Sequence, residues 1–159
     1  MSNLISKVQE LQKEILNEFD EIREYQKKRN ELLEKQEVIV KKTAEALLPI
    51  MEIIKEQNIR FTGLNTSYYS KRGPILKEDE YEELLYVFSV KDKGPQIVYL
   101  NEPKRVSYIS YDKLLEDVPF KDVMENLLYV LRYHEKIKNN ILEDINKIEE
   151  EIKDYENLF

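Results

Sequence analysis

Two long stretches with heptad-like spacing of apolar residues flank a shorter middle segment, and this layout constrains the fold more than any other feature. The stretches cover roughly residues 3–57 and 120–157, and the middle holds all three glycines of the 159-residue chain. Apolar residues at this spacing lie on one side of a helix and favour coiled-coil packing. The pattern predicts an α+β fold, in which a long antiparallel helical hairpin (a coiled-coil stalk) carries a small antiparallel β-meander head inserted between its two helices.

The first helix is expected to cover residues 1–57. Its apolar residues begin with regular spacings of four and three, but two later seam positions hold the polar residues Arg29 and Gln36. Pro49 removes one backbone hydrogen bond and clashes one turn back, at a cost of about 3 kcal/mol or more inside a helix. We therefore expect a kink near residues 45–49, with the rest of the helix lying under the head.

The second helix is expected to cover residues 119–159 and to pair with the first. Its seam is more regular, with one stutter between Ile141 and Ile145, and the only histidine, His134, falls on it. A polar residue in a seam typically sets register or partner number; a pH switch and a metal or catalytic role are the alternatives. The predicted seam and register positions are Arg29, Gln36, His134, Ile137, Ile141, Ile145, Ile148 and Ile152.

Residues 58–118 are expected to form the β-rich head. Apolar and polar residues alternate there with a period of two, which indicates strands. Turn residues separate the alternating stretches Leu84–Val90, Gln96–Leu100 and Arg105–Tyr111. Ile59–Leu64 is a candidate further strand, and Tyr68–Lys77 is expected to be a loop.

Composition excludes several classes of chemistry. The chain has no cysteine and a net charge of −7, so thiol nucleophiles, disulfides and cysteine-based zinc sites are excluded. Its acidity is concentrated in the second helix, which disfavours duplex nucleic acid because phosphate contacts require clustered Lys and Arg. No nucleotide-binding or nucleophile motif is present. We expect no enzyme activity, no metal and no cofactor, and a cytoplasmic protein without a membrane span.

One loop of the head is a candidate binding surface. It places two tyrosines next to two basic residues, and a second pair of basic residues follows in a later turn. Aromatic rings beside cations can stack a base or hold a phosphate, and Tyr with Arg is also common at the centre of protein interfaces. Packing of one Tyr in the core with solvated bases is the alternative. The predicted partner-binding residues are Tyr68, Tyr69, Lys71, Arg72, Lys104 and Arg105.

These features together predict a non-catalytic protein-interaction module, an adaptor or inhibitor, that acts as a coiled-coil homo-oligomer. The width of the apolar stripes favours a dimer with a four-helix stalk. Richness in Lys, Glu, Ile, Asn and Tyr is typical of AT-rich genomes, so an origin in a phage or mobile element is one option. The helix–β–helix order is similar to the layout of the prefoldin chaperones, and the resemblance implies a chaperone as an alternative. Binding of nucleic acid or a nucleotide through the head loop is another.

Overall fold

The chain combines long helices with a four-stranded antiparallel sheet in the computed structural model, which describes residues 2–102 and 104–159. A long N-terminal helix and a strand-containing head are thereby confirmed. The chain divides into two compact units between Ile39 and Val40. The elements are α1 (Ser2–Glu56), β1 (Ile75–Asp79), β2 (Leu84–Ser89), β3 (Gly94–Tyr99), β4 (Val106–Tyr108), α2 (Tyr111–Asp117), α3 (Phe120–Leu128), a 3-10 turn (Tyr129–Arg132) and α4 (Tyr133–Glu156).

The sheet is a meander in which each strand pairs with the next, in the order β1-β2-β3-β4. Three of its strands match the alternating stretches of the sequence. The fourth is β1 and not Ile59–Leu64, which contributes only an isolated bridge between Phe61 and Ser70. An irregularity in register between Ile75 and Lys77 interrupts the alternation of β1, which explains why the sequence pattern missed this strand.

The main core lies between one face of the sheet and the helices. The C-terminal part of α1 contributes Val40, Ala44, Leu47, Met51 and Ile54, all buried. This confirms that the later part of the helix underlies the head. The opposite face of the sheet carries a smaller buried cluster made by Ile75, Leu85 and Val87.

Helix α1 continues through Pro49 without a break. The proline itself is exposed, while Leu47 and Met51 on either side of it are buried in the core. Burying a Leu or Met side chain contributes about 1.5–3 kcal/mol, so the buried face around Pro49 outweighs a helix penalty of about 3 kcal/mol. Packing on the head thus holds this part of α1 helical, and a kink near residues 45–49 stays a prediction.

The C-terminal region is two helices joined by a turn, not the single helix expected over residues 119–159. At the junction the buried Tyr133 stacks on Phe61, with ring centroids 6.0 Å apart, and its hydroxyl donates to the carbonyl oxygen of Arg60. The first turns of α4 line a groove together with Ile54 and Ile59, at the C-terminal end of α1. Pairing of α4 with the first 40 residues as a hairpin stays a prediction.

Candidate interaction surfaces

The α1 stripe is a row of apolar side chains on the first part of α1 that this chain leaves exposed. Its members keep between 38% and 65% of their surface in solvent. Exposed apolar patches of this extent typically mark an interaction surface. The α1 stripe consists of Leu4, Val8, Leu11, Ile15, Phe19, Ile22 and Leu33.

The α4 stripe is the equivalent row on the C-terminal helix. It consists of Ile141, Ile145, Ile148, Ile152 and Tyr155, between 43% and 65% exposed. Beyond its C-terminal end, Leu158 and Phe159 are also exposed. All of these side chains keep at least 43% of their surface exposed.

The three polar residues that were predicted to lie in the helix seam are not buried. Arg29 and His134 are exposed and Gln36 is half-buried. His134 lines the groove with Ile54, Ile137 and Ile141. Its role in selecting register stays a prediction, because it would act only in a paired helix.

The loop that carries Tyr68 and Tyr69 is closed by the bridge between Phe61 and Ser70. Both tyrosines are exposed, at 40% and 64%. Within the loop the hydroxyls of Thr62 and Thr66 lie 3.0 Å apart. The structure therefore presents the two predicted aromatic residues on a loop with its own hydrogen bonds.

The loop is also fastened to the rest of the head. The buried Asn126 of α3 accepts a hydrogen bond from the Leu64 amide at 2.7 Å and donates to the Leu76 carbonyl at 3.0 Å. Ser67 donates its amide to Glu78 at 3.0 Å. One asparagine thus connects the loop, β1 and α3.

Four basic residues meet at one end of the sheet, on two adjacent loops. The backbone amide of Val90 donates to the Arg72 carbonyl at 2.9 Å, which joins the segment after the tyrosines to the β2–β3 turn. We call the cluster of Lys71, Arg72, Lys91 and Lys93 the basic end. None of these four forms an ion pair with a carboxylate within residues 2–102 and 104–159.

The only carboxylate within the β2–β3 turn, that of Asp92, accepts hydrogen bonds from two buried side chains. Asp92 accepts hydrogen bonds from the Gln96 amide group at 2.6 Å and the Ser89 hydroxyl at 3.2 Å. Both donors are buried, at 0% and 1% exposure. The sequence analysis took Lys91 and Lys93 as turn residues only, because their closeness to Arg72 depends on strand register.

Lys104 and Arg105 lie at the opposite end of the sheet and do not extend the basic end. Strand register places them beside Tyr99, the last residue of β3. Arg105 lies 4.5 Å above the Tyr99 ring and 3.9 Å from Glu102. The six predicted partner-binding residues therefore form two separate groups, because β3 leads away from the basic end before β4 begins.

The end of β1 and the β1–β2 turn carry a dense acidic run, which consists of Glu78, Asp79, Glu80, Glu82 and Glu83. Asp79 accepts the amide of Glu82 at 3.0 Å, and Glu83 adopts a left-handed backbone with φ of 54°. In the described part of the chain no group of three His, Cys, Asp or Glu residues could hold a metal ion. The hydrogen bond from Glu82 to Asp79 gives part of this acidic run a structural role in the turn.

Burial raises the pKa of three tyrosines, Tyr86, Tyr111 and Tyr133. Burial, with a smaller contribution from the hydrogen bond to Asp117 at 3.0 Å, raises the pKa of Tyr86 to about 12. Burial likewise raises the pKa of Tyr133 to about 12. The phenols of Tyr86 and Tyr133 stay neutral at physiological pH and act as hydrogen-bond donors in the core.

No protein-family model, curated protein or solved structure matches this chain. The similarity to the prefoldin layout therefore stays a prediction. Across residues 2–102 and 104–159, none of the helices is both long and apolar enough to cross a membrane.

Proposed function

We propose that this protein is a non-catalytic interaction module, an adaptor or inhibitor, that forms a homo-oligomer through the α1 stripe and presents its head to a protein partner. The observation that carries the proposal is the exposure of the whole α1 stripe in the single chain. A helix with such a row gains stability only when a second apolar surface covers it.

The energy available from covering the stripe is sufficient for association. Full burial of a Leu, Ile or Phe contributes about 1.5–3 kcal/mol, so seven half-exposed side chains contribute roughly 5–10 kcal/mol per helix. Two helices together gain about 10–20 kcal/mol, against an estimated association cost of about 4–15 kcal/mol. Micromolar dimerisation is within this range, and a dimer is the simplest assembly that covers both stripes.

The charges beside the α1 stripe are compatible with a second copy. The basic residues Lys7 and Arg23 and the acidic residue Glu18 all lie beside the stripe. Glu18 and Arg23 flank the stripe on opposite sides and are five residues apart, the spacing at which parallel helices form interhelical ion pairs. Mixed signs on the flanks permit self-pairing without net repulsion.

A pair of matched variants tests the proposal. Leu11→Asp combined with Ile15→Asp places charge in the stripe, and we expect it to convert the oligomer to a monomer in light scattering at tens of micromolar. Lys13→Asp lies in the same turns but on the far side of the helix, and its mass should equal that of the wild type. Equal masses for both variants and the wild type would overturn the proposal.

The intramolecular hairpin is the competing way to cover the same stripe. Since the chain has no native cysteine, spin labels can be attached at Lys35→Cys and Asp154→Cys and diluted with unlabelled protein. A hairpin would hold the labels within about 20–30 Å, two helix diameters and the label arms. A short distance in a monomer would favour the hairpin over pairing between copies.

The basic end supports a second candidate function, the binding of a polyanion such as single-stranded nucleic acid. Lys71 and Arg72 follow the exposed Tyr69 in the same loop, Lys91 and Lys93 lie on the adjacent turn, and none of the four forms an ion pair within the described residues. Basic groups bind phosphates, and aromatic rings stack on bases. Titration of labelled oligonucleotides at low salt checks this function. Binding that weakens with salt and with Arg72→Glu would support it, whereas a flat titration would exclude it.

A further inference from the structure

The charged residues on the two sides of the α4 stripe are acidic, whereas those beside the α1 stripe carry both signs. This difference favours a different binding partner for the α4 stripe. With 3.6 residues per turn, the positions next to the stripe can be assigned along the helix. Between residues 141 and 156 every charged residue in these positions is acidic, while Lys147 and Lys153 lie further round the helix. The flanking residues are Asp144 and Glu151 on one side and Glu149 and Glu156 on the other.

These carboxylates disfavour pairing of α4 with its own copy. In a parallel pair, Asp144 would face Glu149 of the second helix and Glu151 would face Glu156. In an antiparallel pair, each acidic flank would face the same acidic flank. Like charges across a helix interface destabilise the wrong pairing and thereby select the partner.

The α1 stripe of a second copy is also a poor match. Its flanks carry both signs, so part of any pairing would bring Glu18 or Glu37 against an acidic side of α4. A helix with Lys or Arg on both flanks would instead neutralise all four carboxylates. Such a helix would also bury the exposed side chains of the α4 stripe, whose five members are at least 43% exposed.

We propose that the α4 stripe is a docking surface for a basic amphipathic helix of another protein. The inference goes beyond the proposed homo-oligomer, since it assigns a second surface and the chemistry of the partner. From Ile141 to Tyr155 the stripe extends about 21 Å at 1.5 Å per residue. A partner helix of about 15–20 residues, apolar at heptad positions and flanked by Lys or Arg, covers it.

Two synthetic peptides of 21 residues test the inference on the full chain. Both carry the same Ile and Leu heptad stripe, flanked by Lys in one and by Glu in the other. We expect the Lys peptide to bind in fluorescence anisotropy, with at least tenfold lower affinity at high salt, and the Glu peptide not to bind. Equal binding of both peptides, or binding of neither, would refute the proposal.

Variants locate the binding and separate it from oligomerisation. Glu149→Lys with Glu151→Lys and Glu156→Lys changes only exposed residues, and it should reverse the preference of the two peptides by at least tenfold. Ile148→Gln with Ile152→Gln should abolish binding, whereas Leu11→Gln with Ile15→Gln should leave it intact. Loss of binding in the α1 variant alone would assign the peptide to the α1 stripe and overturn the inference. Light scattering reports the oligomer independently, so either proposal can fail without the other.

Discussion

Asn126 connects three parts of the head, so removing its side-chain amide should have a large and specific effect on stability. It is only 7% exposed, and its amide group contacts the Leu64 amide at 2.7 Å and the Leu76 carbonyl at 3.0 Å. Asn126→Ala would leave one donor and one acceptor without these partners. A buried polar group that loses its partner costs about 1–3 kcal/mol.

The two losses together predict a decrease of about 2–4 kcal/mol in the free energy of unfolding. A third contact, to the Asp122 carbonyl at 2.9 Å, adds little because that oxygen belongs to the same helix. At about 2–4 °C per kcal/mol, the midpoint of thermal unfolding should fall by roughly 5–15 °C. Chemical denaturation followed by circular dichroism measures the free energy directly.

Two further substitutions show whether the hydrogen bonds are the cause. Asn140→Ala makes the same change at an exposed position of α4, and its unfolding free energy should stay within about 0.5 kcal/mol of the wild type. Asn126→Asp keeps an acceptor for Leu64 but loses the donor to Leu76. A loss below 1 kcal/mol for Asn126→Ala, or equal losses at positions 126 and 140, would refute the reasoning.

Three more predictions concern the head and α1. A Cβ at Gly73 would lie 1.7 Å from the Phe88 carbonyl oxygen, whereas nothing lies within 4 Å of a Cβ at Gly94; Gly73→Ala should therefore unfold at a much lower denaturant concentration than Gly94→Ala, and equal midpoints would contradict this. Pro49→Ala restores a helix hydrogen bond at an exposed position and should raise the free energy of unfolding by about 1–3 kcal/mol, measured by chemical denaturation; an unchanged or lower value would contradict the argument. The pKa values of Tyr86 and Tyr133 are raised to about 12 in the folded state, so their contribution to the free energy of unfolding is complete below the unfolded-state pKa of about 10 and is lost as the pH rises from 10 to 12. Tyr86→Phe should therefore reduce the loss of stability with pH in this window. An unchanged dependence of the free energy of unfolding on pH would rule out the phenol as a cause.

The strands β2, β3 and β4 could be predicted from the sequence because their residues alternate with a period of two. Strand β1 could not, since its polar second half and its register irregularity obscure the alternation. Pro49 predicts a kink of α1, and α1 stays helical there because Leu47 and Met51 are buried, which depends on tertiary packing that a local pattern does not contain. Local sequence patterns therefore predicted β2, β3 and β4, and they did not predict features that depend on tertiary packing or on irregular strand register.

The candidate binding residues show the same limit. Tyr68, Tyr69, Lys71 and Arg72 are contiguous in sequence, so one loop carries them, as expected. Their grouping with Lys91 and Lys93 follows from the pairing of the segment before β1 with the end of β2, and their separation from Lys104 and Arg105 follows from the course of β3. Register depends on pairing between distant residues, and the sequence pattern alone does not define it.

The molar mass of the wild-type chain as a function of concentration tests the central claim, that the α1 stripe pairs with a second copy, most directly. Sedimentation equilibrium from one to one hundred micromolar should show a transition from the 19.2 kDa chain to about twice that mass, with Leu11→Asp combined with Ile15→Asp remaining monomeric throughout. A wild-type mass of 19.2 kDa at every concentration would contradict the claim.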